Sequence, residues 1–477
     1  MAQNFREQGG AATMDPSPLR RWVTSRMLNK LLDPERERKL LEEAEQERER
    51  SGAGHSGAGH VVDYFHQLDD PYSLLAAQCI GPLLAHYDIY MRWHLVPGPS
   101  GANLPEPELL SLLARKDAAA VAPFYRLACP PLVEPDGALL QRAQRIFAAT
   151  PESGRVEAAE GLCSAVLTGN TALLDDLARR HGEASAADAE ALLRAGAARR
   201  KELHHYAGAM FYYGGVWYWG VDRLYHLEQR LQALQTQRRP LAGCLYPRPP
   251  LRSGPHRDNG SLTLEFYASL RSPYTALIFD TVVDWAKAVG VRLDLRPVLP
   301  MVMRGVAASR DKGVYIFNDA GREARALGVP LGPFYDPIGE PVRRCYSLLP
   351  VADAAGKRAE LMSSFLRAAF VEGRNTGRKS VLRLVAERAG LSWREASAQL
   401  GKPGWEETLE ANRQAMYAFN CWGVPGFRLL DADGSTLATA WGQDRLWFIA
   451  EVLQRTLAAH NQPVASADLP PPFPHSR

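Results

Sequence analysis

The stretch from Leu262 to Thr275 reads LTLEFYASLRSPYT, and it decides the fold of the second half of the chain. Its first six residues form a short apolar run that is typical of a strand. Ser272 and Pro273 follow, and a serine before a proline is a typical start of a helix. Apolar residues at helical spacing then continue to Val289, and a second strand is predicted over Val291 to Val298. Strand, helix and strand predict a βαβ unit with a parallel strand pair.

The first half repeats this order. A strand is predicted over Val61 to His66, and the segment DDPYS at 69–73 leads into a helix that ends near Tyr87. A second strand is predicted over Ile89 to Val96. The two halves therefore begin with the same βαβ pattern.

The ends of the two halves are also alike. The segment WGVDRL at 219–224 matches WGQDRL at 441–446. Each follows an apolar hairpin pattern, over Ala209 to Trp219 and Gly426 to Trp441, and each precedes an amphipathic helix. Several matches in the same order indicate an internal duplication. Each half is expected to consist of a β-α-β part, a long helical insertion and a β-β-α part.

The remaining segments set the expected domain boundaries. Residues 1–60 are predicted to be a charged helical arm and a linker, because Pro34 to Arg50 is almost wholly charged and favours a solvated helix with i,i+4 pairs. The repeat SGAGH-SGAGH at 51–60 favours a flexible linker, although His55 and His60 leave metal binding open. Residues 235–260 form a Pro/Arg-rich linker and 463–477 a disordered tail, so the domains are 61–234 and 261–462.

Composition excludes several classes of protein. The chain has 477 residues, is 46% hydrophobic and 23% charged, and carries a net charge of +3. These are globular values, and the charge balance argues against a dedicated nucleic-acid binder. No apolar run approaches the roughly 18 residues of a membrane span, and the polar N-terminus predicts no secretory signal. The six cysteines form no C-x-x-C pair, so we expect no metal site and a cytoplasmic protein with reduced thiols.

The order of elements is that of a thioredoxin fold with an inserted helical domain, and the second half resembles the DsbA-like superfamily. Within it, the chain is most similar to the branch of 2-hydroxychromene-2-carboxylate isomerases and kappa-class glutathione transferases. The resemblance is carried by FYASLRSPY at 266–274, WGVP at 422–425 and WGQDRL at 441–446, and more weakly by Lys312 with LGVP at 327–330. It implies an α/β fold of two tandem thioredoxin-like domains.

The resemblance implies a catalytic role for Ser272, which stands where redox members carry their nucleophilic cysteine. There the serine hydroxyl would donate to the thiolate of bound glutathione and lower the thiol pKa, helped by the positive end of a helix. The structural alternative is that Ser272 only caps the helix.

Other residues are assigned to glutathione by the same resemblance. Pro425 resembles the cis-proline of the family, which would leave the main chain of Val424 free to pair with the cysteinyl part of glutathione. Gln443 and Asp444 would hold its γ-glutamyl end, and Lys312 is included in the same site. The alternatives are an ordinary edge-strand proline at Pro425 and a helix-start residue at Asp444.

The first half departs from this pattern. Asp70 takes the place of Ser272, and a carboxylate there would repel a thiolate. Ala209 takes the place of Pro425. The first half is therefore not expected to activate glutathione, although a different site could be lined by His66, Tyr72, His204, His205, Tyr206 and Tyr212. The aromatic hairpin of this half favours packing over ligand binding.

These residues lead to one expected function with two alternatives. We expect a glutathione-dependent isomerase or transferase that acts on a small apolar or aromatic electrophile through the second domain, with a non-catalytic first domain. The alternatives are a non-catalytic binding or scaffold protein and a thiol–disulfide oxidoreductase. Cys421 lies near Pro425 but has no partner at C-x-x-C spacing, which argues against the last. A homodimer remains open.

Overall fold

The computed structural model of the chain describes residues 15–50, 59–306 and 308–460. Most of the SGAGH linker and the predicted tail at 463–477 fall outside these ranges. Within the described ranges, no helix is long and apolar enough to cross a membrane.

Two helices precede the first sheet, α1 (Pro18–Leu32) and α2 (Pro34–Arg50). The first half then contains the following elements in chain order: β1 (His60–His66), α3 (Pro71–His86), β2 (Ile89–Leu95), α4 (Pro107–Val121), α5 (Gly137–Ala149), α6 (Arg155–Thr168), α7 (Thr171–His181), α8 (Ala186–Glu202), β3 (Met210–Tyr213), β4 (Val216–Trp219) and α9 (Leu224–Ala233). The predicted strands and helices of this half are confirmed, with helices α4 to α8 as the insertion.

The second half follows the same plan. Its elements are β5 (Thr263–Ala268), α10 (Pro273–Val289), β6 (Arg292–Pro297), α11 (Arg310–Leu327), α12 (Glu340–Tyr346), α13 (Leu349–Ala354), α14 (Arg358–Phe370), α15 (Lys379–Arg388), α16 (Trp393–Gln399), α17 (Glu406–Ala418), β7 (Gly426–Leu430), β8 (Thr436–Trp441) and α18 (Leu446–His460). Between the halves, residues 235–260 contain no helix or strand, as predicted.

The two sheets have the same strand order. The first is β2-β1-β3-β4 and the second β6-β5-β7-β8, each with four strands. In both, the βαβ unit gives a parallel pair, and the hairpin adds two antiparallel strands. The protein is therefore mixed α/β, and the paired sheets suggest the duplication.

Each half has its own apolar core. Aromatic side chains of the two halves also pack against each other. The first core forms around Tyr64 and Phe211, whose rings stack at 4.6 Å. The second forms around Phe266 and Phe427, which stack at 5.3 Å. Trp447 of α18 packs against Phe124 of the first half with ring centroids 5.0 Å apart. The two halves are thus packed together.

The charged arm is more integrated than its composition suggests. Helix α2 buries none of its residues, as expected of a charged helix, but it lies against the first half instead of in free solvent. Helix α1 is held by polar contacts to the second half: Arg21 donates to the Asp336 carbonyl at 2.9 Å and Asn29 to the Phe334 carbonyl at 2.7 Å. Both helices are therefore parts of the folded body.

Candidate functional site

Ser272 begins helix α10 at the carboxyl end of β5. Its side-chain oxygen accepts the Thr275 N–H at 3.1 Å, so the cap predicted from the Ser-Pro sequence is present. The side chain is partly exposed, and its hydroxyl proton has no acceptor among the described residues. Because α10 has 17 residues, its N-terminus carries the positive end of a full helix dipole. Ser272 can therefore cap the helix and still donate to a bound anion.

The loop before β7 lies at the same edge of the sheet as the end of β5, which leads to Ser272. The Val424–Pro425 peptide is cis, as the sequence predicts. Tyr267 near the end of β5 pairs with Gly426 in the strand register, so Pro425 sits at the same edge of the sheet. In the described part of the chain, neither the N–H nor the C=O of Val424 has a hydrogen-bond partner. This main chain is available to pair with an extended ligand.

Lys312 and Trp422 place a cation near this loop. The Lys312 ammonium lies 5.2 Å from the centroid of the Trp422 ring. Burial lowers the pKa of Lys312 to about 8, since the charged form is poorly solvated there. Lys312 forms no ion pair with any residue that the structure describes. It can therefore supply positive charge to an incoming anion.

Arg304 is a neighbouring residue that the sequence did not single out. It is buried, and its guanidinium donates to the Leu299 carbonyl at 3.0 Å and to the Trp422 carbonyl at 2.9 Å. Burial lowers its pKa. These hydrogen bonds fix the main chain just before Val424. No local sequence pattern marks Arg304, because its acceptors lie 5 and 118 residues away along the chain.

Gln443 and Asp444 lie near the same edge of the sheet, since the Gly442 N–H donates to the Pro425 carbonyl at 2.9 Å. Their side chains, however, are engaged inside the protein. Asp444 accepts from Arg223 of the first half at 2.6 Å. Gln443 is buried and donates to Glu323 at 2.8 Å. The Asp444 carboxylate predicted to hold glutathione is therefore occupied by a protein group, and the Gln443 side chain points to Glu323, whereas the Gln443 main-chain N–H has no partner among the described residues.

Arg223 is the centre of a contact between the halves. Besides Asp444 it binds Asp319 of α11, with Nε at 2.9 Å from one carboxylate oxygen and Nη2 at 2.9 Å from the other. Although burial alone would raise it, the guanidinium of Arg223 holds the pKa of Asp319 below its ordinary value. Tyr274, two residues after Ser272, also donates to Asp319 at 2.8 Å. Asp319 thus links Arg223 of the first half to Tyr274 at the start of α10.

Arg445 makes the reciprocal contact. It binds Asp117 of α4 at 2.7 Å and Asp222 at 2.6 Å, both in the first half. Tyr72, two residues after Asp70, donates to Asp117 at 2.8 Å, as Tyr274 does to Asp319. The two Asp-Arg motifs therefore exchange ion pairs across an approximate two-fold relation. The shortest ion pairs of Arg445 cross to the first half, and its neighbour Asp444 lies farther away, at 3.5 Å.

In the first half, the position equivalent to Ser272 is taken by Asp70, whose carboxylate already accepts main-chain hydrogen bonds. Asp70 accepts the Tyr72 N–H at 3.2 Å and the Ser73 N–H at 3.0 Å and so caps α3. Burial raises the pKa of Asp70 to about 6. Below it, the Cys163 thiol lies 3.4 Å from His66 Nε2, and both side chains are fully buried. Burial lowers the pKa of His66 to about 3, so this pair is uncharged at neutral pH.

The six residues proposed for a separate first-half site do not converge. His66 packs among the first-half core rings, while His205 and Tyr206 stack on each other at 4.8 Å in another cluster. His204 is exposed. Tyr72 is committed to Asp117, and Tyr212 packs on Trp217 at 4.8 Å, as hairpin packing predicts. These six residues therefore do not line one site, because His66 and Tyr72 lie at the first-half core, whereas Tyr206 and Tyr212 belong to a separate cluster around Phe65.

Among the described residues, neither the cysteines nor the other metal-binding side chains form a further candidate site. All six cysteines are free, and Cys421 is fully buried beside the Gly423 carbonyl at 3.4 Å. Burial raises its pKa to about 12. Among the described residues, no group of three or more His, Cys, Asp or Glu side chains could hold a metal ion.

Comparison with known families identifies the second half. Residues 263–454 match the family model described as DSBA-like thioredoxin domain. This part of the chain is a DSBA-like thioredoxin domain. The match begins at β5 and ends within α18, so it contains Ser272, Val424, Pro425 and the other predicted site residues. A comparison with curated protein sequences gives no match.

Several solved structures resemble the chain. One is a 2-hydroxychromene-2-carboxylate isomerase, at 22% identity and a TM-score of 0.35, covering 42% of this chain and 97% of that one. A probable DsbA oxidoreductase from Streptomyces coelicolor has 19% identity and a TM-score of 0.33, covering 43% and 94%. The cytosolic disulfide reductase DsbM from Pseudomonas aeruginosa has 19% identity and a TM-score of 0.31, covering 42% and 98%.

Proposed function

We propose that the DSBA-like domain is a glutathione-dependent isomerase or transferase acting on a small apolar or aromatic electrophile, and that the first half is a degenerate second copy of the same domain without catalytic activity. The observation that carries the proposal is the position of Ser272 and Val424 at the same edge of the sheet. A free hydroxyl proton at a helix N-terminus lies at the same sheet edge as an unpaired main-chain segment next to a cis-proline.

Each group has a distinct task in this proposal. Bound glutathione would supply a thiolate that adds to an electron-poor carbon; in an isomerase it leaves again after bond rotation, and in a transferase it stays bound to that carbon while the leaving group of the electrophile departs. The Ser272 hydroxyl donates a hydrogen bond to the sulfur and keeps its proton, and the α10 dipole favours the thiolate. The N–H and C=O of Val424 hold the cysteinyl main chain as an added strand would. Lys312 attracts a carboxylate of the ligand.

Two side chains near the proposed γ-glutamyl site are engaged by protein groups. The Asp444 carboxylate is paired with Arg223, and the Gln443 amide with Glu323. A γ-glutamyl ammonium would have to compete with a buried guanidinium for Asp444. We therefore assign the γ-glutamyl end no contact with these two side chains, and the proposed binding rests on Ser272, Val424 and Lys312.

The test is calorimetric binding of glutathione to the full chain, together with the ultraviolet absorbance of its thiolate. We expect binding, and a bound thiol with a lowered pKa. Ser272→Ala should return that pKa toward its solution value. Ser185→Ala is the matched control, because Ser185 caps α8 through the Asp188 N–H at 3.1 Å far from the domain. No binding at millimolar glutathione, with an intact fold, would reject the proposal.

The second candidate is a non-catalytic binding or scaffold protein, and the ion pair of Asp444 with Arg223 favours it. The Asp444 carboxylate, which the resemblance assigns to a ligand, here joins the two halves through Arg223. An electrophile such as a chromene carboxylate separates the two candidates. Turnover that depends on glutathione and is lost in Ser272→Ala supports the enzyme, and its absence despite glutathione binding supports the scaffold.

A further inference from the structure

A cavity of about 350 Å³ lies where the N-terminal arm meets both halves of the protein. Its walls come from α2 of the arm, from β4 and α9 of the first half, and from α11 of the second half. None of the residues assigned to the glutathione site lines it. Small-molecule sites occupy roughly 300–1,000 Å³, so this cavity can hold a small ligand.

Arginine dominates the charged lining of this cavity. Arg230 of α9 and both Arg322 and Arg325 of α11 line it, and Glu37 of α2 is the one acid among its described lining residues. His226 lines it as well, but burial lowers the pKa of His226 to about 4, so the imidazole is uncharged at neutral pH. Because arginine stays charged, the lining carries an excess of two positive charges.

Three further carboxylates touch the lining residues from outside the cavity. Each of them also has a cation of its own that does not line the cavity, so they do not cancel the positive excess. These pairs are Asp319 with Arg223 at 2.9 Å, Glu45 with Arg48 at 3.1 Å and Glu323 with Arg248 at 3.3 Å.

Two of the lining arginines keep an unpaired donor. The Nε–H groups of Arg322 and Arg230 are buried and have no hydrogen-bond acceptor within the described ranges. Arg322 is also held in place, because its Nη2 donates to the Trp217 carbonyl at 3.0 Å and its guanidinium lies 4.8 Å from the centroid of the Tyr218 ring. Buried donors are usually paired in folded proteins, so these two point to an acceptor supplied by a ligand.

The charge excess selects the class of ligand. A phosphate monoester carries about −1.5 to −2 charges at pH 7 and three acceptor oxygens, whereas a carboxylate carries a single charge. The planar fork of a guanidinium also matches the oxygens of a phosphate group. Leu41 and Ala326 add an apolar part to the lining, which can contact the carbon atoms of an ester.

We propose that this cavity binds the phosphate group of a small molecule, held by Arg230, Arg322 and Arg325. The ligand is a phosphate dianion, either free or as a monoester. The proposal does not depend on glutathione chemistry at Ser272.

Glu37 limits the affinity of this site. It pairs with Arg325 and lies 3.9 Å from Arg322, so the protein's own carboxylate neutralises part of the cavity. A bound phosphate would be repelled by it. Removing that charge with Glu37→Gln should therefore tighten phosphate binding, whereas arginines that only hold α2 would gain no affinity for phosphate.

Calorimetric titration of the full chain with phenyl phosphate, inorganic phosphate and benzoate tests the proposal. We expect one phenyl phosphate per chain, bound at least about tenfold more tightly than benzoate, which is about 1.4 kcal/mol. Inorganic phosphate distinguishes the two sources of the dianion. Equal affinity for both phosphates supports free phosphate as the ligand, and tighter binding of phenyl phosphate supports an ester.

Charge variants show where the phosphate binds. Arg230→Gln and Arg325→Gln, both at partly exposed positions, should each weaken phenyl phosphate binding at least about tenfold, while circular dichroism stays unchanged. Glu37→Gln should strengthen it at least about threefold. Arg194→Gln is the matched control, because Arg194 pairs with Glu190 on the exposed face of α8 and its loss should leave the affinity unchanged.

Four results would overturn the proposal. They are no saturable binding of either phosphate at millimolar concentration, benzoate binding as tight as that of phenyl phosphate, an equal loss of affinity in Arg194→Gln and Arg230→Gln, and no gain in Glu37→Gln. The last variant removes an acid at the surface of the arm and keeps its shape, so it tests the site even where an arginine variant fails to fold.

Discussion

The guanidinium of Arg223 in the first half donates to the carboxylate of Asp444 in the second half at 2.6 Å. Arg445 returns the contact to Asp222 at the same distance. Equivalent residues thus meet reciprocally, as they do in the isologous interface of a two-fold dimer. The repeated Asp-Arg motif therefore has a common structural purpose in both halves, which is to join them.

We expect Arg223→Ala to lower the free energy of unfolding by about 3–5 kcal/mol, because the buried Asp319 carboxylate loses its bidentate partner and Asp444 its shortest ion pair, which leaves them only Arg322 and Arg445. Arg445→Ala should cost a similar amount, since Asp117 and Asp222 lose theirs. Urea unfolding followed by circular dichroism measures both.

The control for these variants is Arg142→Ala. Arg142 pairs with Glu183 at 2.8 Å and Asp175 at 2.5 Å on the surface, where its removal should cost about 0–1 kcal/mol. A similar loss for Arg142 and Arg223 would show that the buried contact contributes nothing special.

Much of the fold is predictable because it depends on local patterns. The helix predicted to end near Tyr87 ends at His86, and the strand predicted over Ile89 to Val96 ends at Leu95. The cap at Ser272 also depends on neighbouring residues, whereas the cis peptide before Pro425 is implied only by the family resemblance. Periodicity and turn residues carry this information along the chain itself.

The partners of the site residues are not predictable in this way. Asp319 lies 96 residues from Arg223, inside a helical insertion, and Asp117 lies 328 residues from Arg445. No sequence pattern links such positions. The ion pair between Arg223 and Asp444 therefore forms only when the halves pack together. Because the Asp444 carboxylate is then engaged, it is less available to bind a ligand.

Helix α1 should detach when its polar contacts are removed. Asn29 donates to the Phe334 carbonyl at 2.7 Å and accepts the Phe334 N–H at 2.6 Å. We expect Asn29→Ala to speed tryptic cleavage within α1 at least about fivefold, since two hydrogen bonds of about 1 kcal/mol each are lost. Met27→Ala, on the exposed face, should leave the rate unchanged. Equal rates for both variants would mean that these bonds do not hold α1.

Asp70 should make stability depend on acidity. Its pKa is about 6 in the folded chain against an ordinary 3.8, so the folded state binds more protons between these values. Stability therefore falls as pH rises through this window and stays reduced above it. Asp70→Asn keeps a good helix cap and should be more stable than the wild type at pH 7, with the difference vanishing near pH 4.

Asp136→Asn is the matched control, because Asp136 is an exposed cap that accepts the Ala138 N–H at 2.9 Å. Unfolding by urea at several pH values tests both variants. A pH-independent difference between Asp70→Asn and the wild type would rule out titration of Asp70 as its cause.

Lys312 should control how ligand binding depends on pH. With a pKa of about 8, it loses its charge as pH rises through that value, and the affinity for an anionic ligand should fall. S-methylglutathione is the suitable probe, since it has no thiol to titrate. Calorimetry should show this fall for the wild type and a flat profile for Lys312→Met. An identical profile in both proteins would remove Lys312 from the proposed site.

The cysteines should be unreactive in the native protein and incapable of thiol–disulfide exchange. Cys79, Cys163, Cys345 and Cys421 are buried, and burial raises the pKa of each thiol. An aromatic disulfide reagent at pH 8 should modify at most the two partly exposed thiols, Cys129 and Cys244, and all six in denaturant. With a thiol reductant present, insulin reduction should not exceed the uncatalysed rate. Ser272→Cys is the informative control, since a thiol at the α10 N-terminus should react at once, and catalysis by the wild type would contradict the absence of a dithiol centre.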